Sequence, residues 1–261
     1  MKRYSILVIL AFAAIVTTHA QESALGFEFG YARTDFRTNS YIPTQDPNVL
    51  STLALDGFKV GLVWDATYIK GFGSTLGLRY TYGTKMTDWV KDRDDQVFDY
   101  PRTKQRVNYN QLELFVDWQY KFEIASNTYI ILTTGPSIQC GLSMNNTIYR
   151  EEYDGHSSET KISRYDYSAS DLNGTLRRIN VTWGVGAGFQ YKRLYLRGGY
   201  DFGLINPYGI SNFNESAAIL TDINTFYPEY NTPENPYTRY TKGRLDQWHI
   251  RIGFYFAQWG E

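Results

Sequence analysis

The stretch Gly57-Phe58-Lys59-Val60-Gly61-Leu62-Val63-Trp64-Asp65-Ala66-Thr67-Tyr68 decides the fold. Phe58, Val60, Leu62, Trp64, Ala66 and Tyr68 share one parity, while Lys59, Gly61, Val63, Asp65 and Thr67 share the other. Strand side chains alternate with period two, so this segment is a ribbon with one greasy face and one polar face. In a soluble sandwich the greasy face turns inward. In an outer-membrane barrel it turns outward to lipid, and the polar face lines the interior.

The same rhythm marks seven further strands: Ala24–Phe36, Ser74–Thr87, Arg106–Phe122, Thr128–Met144, Arg178–Tyr191, Leu194–Ile205 and Gln247–Phe256. Their connections alternate in kind. Ile69–Gly73, Glu123–Asn127 and Lys192–Arg193 are tight turns; Arg37–Asp56, Asp88–Gln105, Asn145–Arg177 and Asn206–Asp246 are long. That alternation predicts an all-β, transmembrane up-and-down antiparallel β-barrel of eight strands. It gives short periplasmic turns, four long extracellular loops and both termini in the periplasm. Soluble domains seldom carry several structureless connections beyond about 15 residues, which argues against a sandwich. A hairpin recruited from the tyrosine-rich loops would raise the count to ten.

Residues 1–20 read as a secretory signal peptide, leaving 21–261 as the barrel domain. Lys2 and Arg3 precede the apolar run Ile6–Val16, and Thr17-Thr18-His19-Ala20 supplies small residues for cleavage. Without that leader, which holds two basic residues, 24 Lys+Arg face 27 Asp+Glu, a formal charge of −3. This balance excludes the basic footprint of a nucleic-acid protein. No later run approaches the roughly 18 apolar residues of a membrane helix. The single cysteine, Cys140, allows no intramolecular disulfide and lies at an apolar-face position as a small hydrophobe.

On the barrel reading, Tyr68, Phe122, Tyr191 and Phe256 fall at the periplasmic rim, and Tyr31, Tyr82, Trp183, Phe202 and Trp248 toward the outer rim. Two aromatic bands bracketing Leu, Ile and Val are what the two headgroup levels select. Glu28, Lys59, Asp65, Arg79, Lys85, Glu113, Asp117, Lys121, Arg178, Arg197, Asp201 and Arg251 all point off the apolar stripe. Facing lipid, each would cost on the order of 2–4 kcal/mol at mid-bilayer. Facing a lumen just wide enough for side chains, they can pair. The expected interior is a polar plug, with Gly30, Gly61, Gly77, Gly135, Gly186 and Gly188 making room, and no diffusion pore.

Asn110-Gln-Leu-Glu-Leu-Phe-Val-Asp-Trp-Gln-Tyr-Lys-Phe122 and Gly135-Pro136 resemble the leucine–glutamate strand and the following strand of PorT-like outer-membrane barrels. Gly184-Val-Gly-Ala-Gly188 with Tyr200-Asp-Phe-Gly-Leu-Ile-Asn206 resembles that family's glycine-rich strand and hairpin. The resemblance covers about Arg106–Asn206. Phe115 stands where the family usually has proline, and Gly199 where it prefers arginine. The resemblance implies a barrel scaffold and, by analogy with one secretion-linked member, an accessory role in protein export.

Chemistry-bearing constellations are sparse. A barrel lipid A-modifying enzyme, a further alternative, would need a Ser/His pair or triad near the lipid-facing rim; His156 lies near Asp154, Ser157 and Ser158 in a long connection, and sequence adjacency does not make a triad. His249 alternates inward as a residue of the polar interior. Asp88, Asp92, Asp94, Asp95 and Asp99 could bind calcium loosely, but Lys91 and Arg93 interrupt them and the ordered spacing of a dedicated site is missing. Gly184–Gly188 sits within a strand with no helix behind it, so it cradles no phosphate. No catalytic residue, metal or cofactor is expected. The loops are the better candidates: Tyr149, Tyr153, Tyr165 and Tyr167 in the third, and Tyr208, Phe213, Phe226, Tyr227, Tyr230, Tyr237 and Tyr240 in the fourth. Tyrosine offers large contact area with a polar tip, which suits contact with extracellular protein or glycan. The remaining expected partners are outer-membrane lipid and lipopolysaccharide.

Overall fold

A computed structural model of the chain describes residues 22–38, 52–86, 88, 90–91, 102–151, 157–164, 167–168, 176–207 and 243–260. Eight long strands form its frame: β1 Glu22–Thr38, β2 Thr52–Ile69, β3 Phe72–Met86, β4 Arg102–Ala125, β5 Thr128–Glu151, β6 Ile179–Tyr191, β7 Leu194–Gly203 and β8 Gly243–Gly260. Their order is β4-β3-β2-β1-β8-β7-β6-β5, and β5 pairs back onto β4, so the sheet is a closed antiparallel ring. Closure leaves the eight-stranded ring itself without an unpaired edge. Among the described residues there is no helix.

The pairing fixes the geometry of the ring. A row leaving β5 at Cys140 passes Leu112, Tyr80, Val60, Phe29, Ile252, Leu196 and Phe189, and returns to β5 at Ile130, ten residues away. An offset of that size tilts the strands about 35–45° from the barrel axis. One consequence is that register-matched positions on neighbouring strands lie at different heights.

Alternation decides which faces meet. Glu28 is 0% exposed and its neighbour Phe29 is 51%; Lys59 is 0% and Leu62 is 56%. Charge is inside and the apolar belt is outside, the reverse of a water-soluble fold. Such a surface is stable only against hydrocarbon.

The three tight connections lie at one end. Lys70 and Gly71 both take positive φ (47° and 84°), as a two-residue type I′ hairpin turn requires. The Lys121 N–H donates to the Gly71 carbonyl at 2.8 Å, and a Cβ on Gly71 would lie 2.3 Å from the Lys121 oxygen. Asn127 and Lys192 supply the positive φ of the other two turns.

At the opposite end the strands outrun the sequence expectation. β4 takes in Arg102–Gln105 and β5 takes in Asn145–Glu151, both expected as loop. Ser157–Arg164 then pairs along β5 beyond the point where β6 stops. This added hairpin strand extends the wall upward and leaves the ring at eight. Cross-strand hydrogen bonding continues past the membrane because a paired ribbon satisfies its backbone better than a loop does.

One ladder break has a cause in sequence. Between Phe115↔Ser137 and Trp118↔Thr134 the β4–β5 register skips Val116 and Asp117. Pro136 lies there and has no N–H to give. Beside it, a Cβ on Gly135 would lie 2.0 Å from the Val116 oxygen and 2.7 Å from Asp117 Cα. Gly135→Ala should therefore lower the urea midpoint of the folded barrel, at a cost of about 1–3 kcal/mol. Gly198→Ala, whose Cβ would meet only the His249 oxygen at 3.7 Å, should leave the midpoint unchanged.

Candidate functional site

The inward side chains form two ion-pair clusters, bridged by Tyr195, whose hydroxyl donates to Glu28 at 3.4 Å while its ring lies under Arg197. Glu28 of β1 accepts from Arg79 Nε at 2.7 Å and from Arg251 Nη1 at 2.6 Å. Arg79 also donates to Glu113 at 2.9 Å and lies 3.7 Å from Asp117, and Lys59 donates to Glu113 at 2.7 Å. Nearer the tight turns, Asp65 accepts from Lys121 at 2.7 Å, Arg197 at 2.8 Å, Gln119 at 2.8 Å and the Tyr255 hydroxyl at 2.7 Å. Nearer the long connections, Asp201 lies 3.5 Å from Lys59 Nζ and 3.4 Å from His249 Nε2.

Aromatic rings carry this network. The Arg79 guanidinium lies 3.2 Å from the centroid of Phe115, and Arg197 lies 4.7 Å from that of Tyr195. The Tyr195 and Tyr255 rings meet at 4.7 Å, tilted by 36°. Each ring uses space that a glycine leaves on the adjoining strand: Tyr195 faces Gly253 and Phe115 faces Gly77. Toward the long connections, Phe36, Leu55, Val107, Tyr109, Met144 and Leu245 turn inward and are buried. Phe36 and Tyr109 meet edge-on at 5.2 Å. The interior is thus filled with paired charge below an apolar layer.

Of the interior residues expected from sequence, Glu28, Lys59, Asp65, Arg79, Glu113, Asp117, Arg197, Asp201 and Arg251 come together here, with Lys121. Two do not. Arg178 is exposed on a bend just before β6, where its carbonyl accepts from the Gly141 N–H. Lys85 is exposed at the end of β3. Strand parity loses its meaning where the strand stops. Without these two, five acidic side chains meet five basic ones, so their formal charges balance.

His249 points into this network, so the barrel wall separates it from the lipid-facing surface that a lipid-modifying centre would need. Cys140 is a free thiol, half-buried, on the outward face of β5. Among the loop candidates, Tyr149 lies on the outer end of β5, and Tyr167 begins a two-residue strand paired in parallel with Leu176–Arg177. Tyr153, Tyr165, Tyr208, Phe213, Phe226, Tyr227, Tyr230, Tyr237 and Tyr240 lie outside the described residues, as do His156, Asp154, Asp92, Asp94, Asp95 and Asp99. Tyr195 and Tyr255 were not singled out in sequence, although each alternates between two outward apolar residues, Leu194/Leu196 and Phe254/Phe256.

A closed ring of eight strands, apolar outside and ion-paired inside, is a membrane-spanning β-barrel. The chain belongs to the outer membrane protein beta-barrel domain family, whose model matches residues 19–208, and it is an integral protein of the bacterial outer membrane. Among solved structures it is similar to Ail, the attachment invasion locus protein of Yersinia pestis, at 10% identity and a TM-score of 0.35, covering 92% of this chain and 99% of that one. It is also similar to Neisserial surface protein A, at 11% identity and a TM-score of 0.35, over 90% and 99% of the two chains. A third is the N-terminal β-barrel domain of Pseudomonas aeruginosa OprF, at 10% identity and a TM-score of 0.28, over 90% and 100%. No curated protein matches the chain.

Removing one partner of a buried ion pair strands the other, at a cost of about 3–5 kcal/mol. Glu28→Gln would leave Arg79 and Arg251 facing each other, and should destabilise the barrel by an amount in that range, read by urea unfolding in lipid vesicles. Adding Arg251→Met should recover part of the loss, because Arg79 keeps Glu113.

Proposed function

We propose that this chain is a closed, non-conducting barrel that holds long segments on the cell surface for contact with extracellular protein or glycan. Residues 1–20 act as its export signal, and the tight turns and both chain ends of the barrel face the periplasm. One observation carries the reading: the lumen is occupied from Asp65 through Glu28 and Glu113 to Asp201, with the apolar layer of Phe36, Leu55 and Tyr109 beyond it. A filled lumen leaves the surface segments as the functional part. Loops on a rigid frame are where recognition concentrates.

The reading includes no enzymatic role, since His249 is enclosed in the lumen, 3.4 Å from Asp201. In planar lipid bilayers the purified barrel should show no sustained conductance steps, and steady open-channel steps would contradict the proposal. Replacing Tyr208, Phe226, Tyr227, Tyr230 and Tyr237 by alanine should abolish capture of array-immobilised glycans and matrix proteins by cells bearing the barrel. Unchanged capture would remove the recognition role. The PorT-like resemblance supports a second reading, accessory to protein secretion. Deleting the gene should impair export of surface proteins under that reading and leave it normal under the first.

A further inference from the structure

Beyond the apolar belt, the outward face of β3, β4 and β5 becomes a hydrogen-bonded polar surface. The Tyr80 hydroxyl donates to Asn110 Oδ1 at 2.5 Å, and Asn110 Nδ2 donates to Ser143 Oγ at 2.7 Å. One step higher, the hydroxyls of Tyr82 and Thr84 donate to Asn108 Oδ1 at 3.0 and 2.8 Å. Arg106 lies next on β4, exposed, with hydrogen bonds to the hydroxyls of Tyr82 and Tyr149. Carboxamides are costly against hydrocarbon, so this surface belongs at the headgroup level.

The charge on this side differs from that across the ring. On β1 and β8 the outward arginines are matched by acids: Arg33 to Asp35 at 3.2 Å, and Arg37 and Arg244 to the buried Asp246 at 3.2 and 2.7 Å. Among the described outward side chains within β3, β4 and β5 at this end there is no carboxylate; the exposed Asp88 follows β3 by two residues. Among the described residues Arg106 is held by neutral hydroxyls, which leave its charge unneutralised. Guanidinium beside carboxamide and tyrosine hydroxyl is chemistry that fits a phosphate attached to a sugar.

We propose that the outward face of β3–β5 is a docking surface for the phosphorylated sugar headgroup of an outer-leaflet glycolipid, with Arg106 on the phosphate and Asn108 and Asn110 toward the sugar. It rests on the orientation proposed above, with the long connections outside the cell. Its role would be to fix one side of the barrel against the leaflet while the surface segments remain free to bind.

The test uses the full-length barrel in detergent micelles, titrated with bisphosphorylated lipid A and with its enzymatically dephosphorylated form. Arg106→Gln should weaken binding of the phosphorylated form about five-fold, the effect of one basic residue near an anionic surface. Arg106→Lys should recover most of that loss, and Arg244→Gln should bind as the unaltered protein does. Heat-modifiable mobility shows that each variant is folded. Equal binding by Arg106→Gln and the unaltered protein, or equal binding of both lipid forms, would overturn the proposal.

Orientation is checked separately on intact cells, in a Cys140→Ser background. A cysteine at Lys85, exposed at the end of β3 and off the docking face by strand parity, should react with an impermeant maleimide and one at Asn127 should not. The reverse labelling would overturn the orientation, and the docking surface with it, whatever the titration shows.

Discussion

Glu28 has no exposed surface and lies between two guanidinium groups, at 2.7 Å from Arg79 and 2.6 Å from Arg251. Much of the barrel follows from keeping that carboxylate ionised away from water. An unpaired charge at such a site would be prohibitive, so its partners must arrive together from β3 and β8. They can do so only when the sheet is closed and the strand register brings the three strands to one height. The network is thus both a consequence of ring closure and a condition for it.

The same constraint shapes the neighbouring residues. Five acidic and five basic side chains in one lumen leave little volume for anything else, which is why glycines oppose the largest inward rings. Phe115 and Tyr195 give the arginines a flat surface to rest on, and cation–π attraction adds to the ion pairs. Outside, the belt needs no pairing at all. It needs only to be apolar over the bilayer and amphipathic at its edges, and the contacts of Tyr31 with Trp248 and of Trp118 with Trp183 show that outer surface at work.

Much of this was legible in the sequence, because the side-chain period of a strand is a hard constraint. Lys59 and Asp65 alternate with Phe58, Leu62 and Trp64, and that segment alone separates lumen from lipid. The tight turns were legible for the same reason, since the alternation stops at Lys70-Gly71 and Lys192-Arg193. What parity could not supply was where each strand ends. Arg178 was expected inside a strand and lies just before β6, while Lys85, though paired with Val107, is exposed at the open end of β3. β4 and β5 continue past the predicted boundary because pairing between them persists on polar residues, which give no apolar signal. The partners within the lumen were also beyond reach, since they depend on the ten-residue offset around the ring, and no local pattern records it.

The central claim is that the greasy faces look outward into lipid from a closed ring. A nitroxide attached at Leu62→Cys, in a Cys140→Ser background and with the protein in lipid vesicles, tests it most directly, because Leu62 is 56% exposed on the outward face of β2. The account predicts strong relaxation by dissolved oxygen and almost none by a water-soluble nickel chelate. Strong relaxation by the chelate, or protection from both, would mean that the apolar stripe does not face lipid.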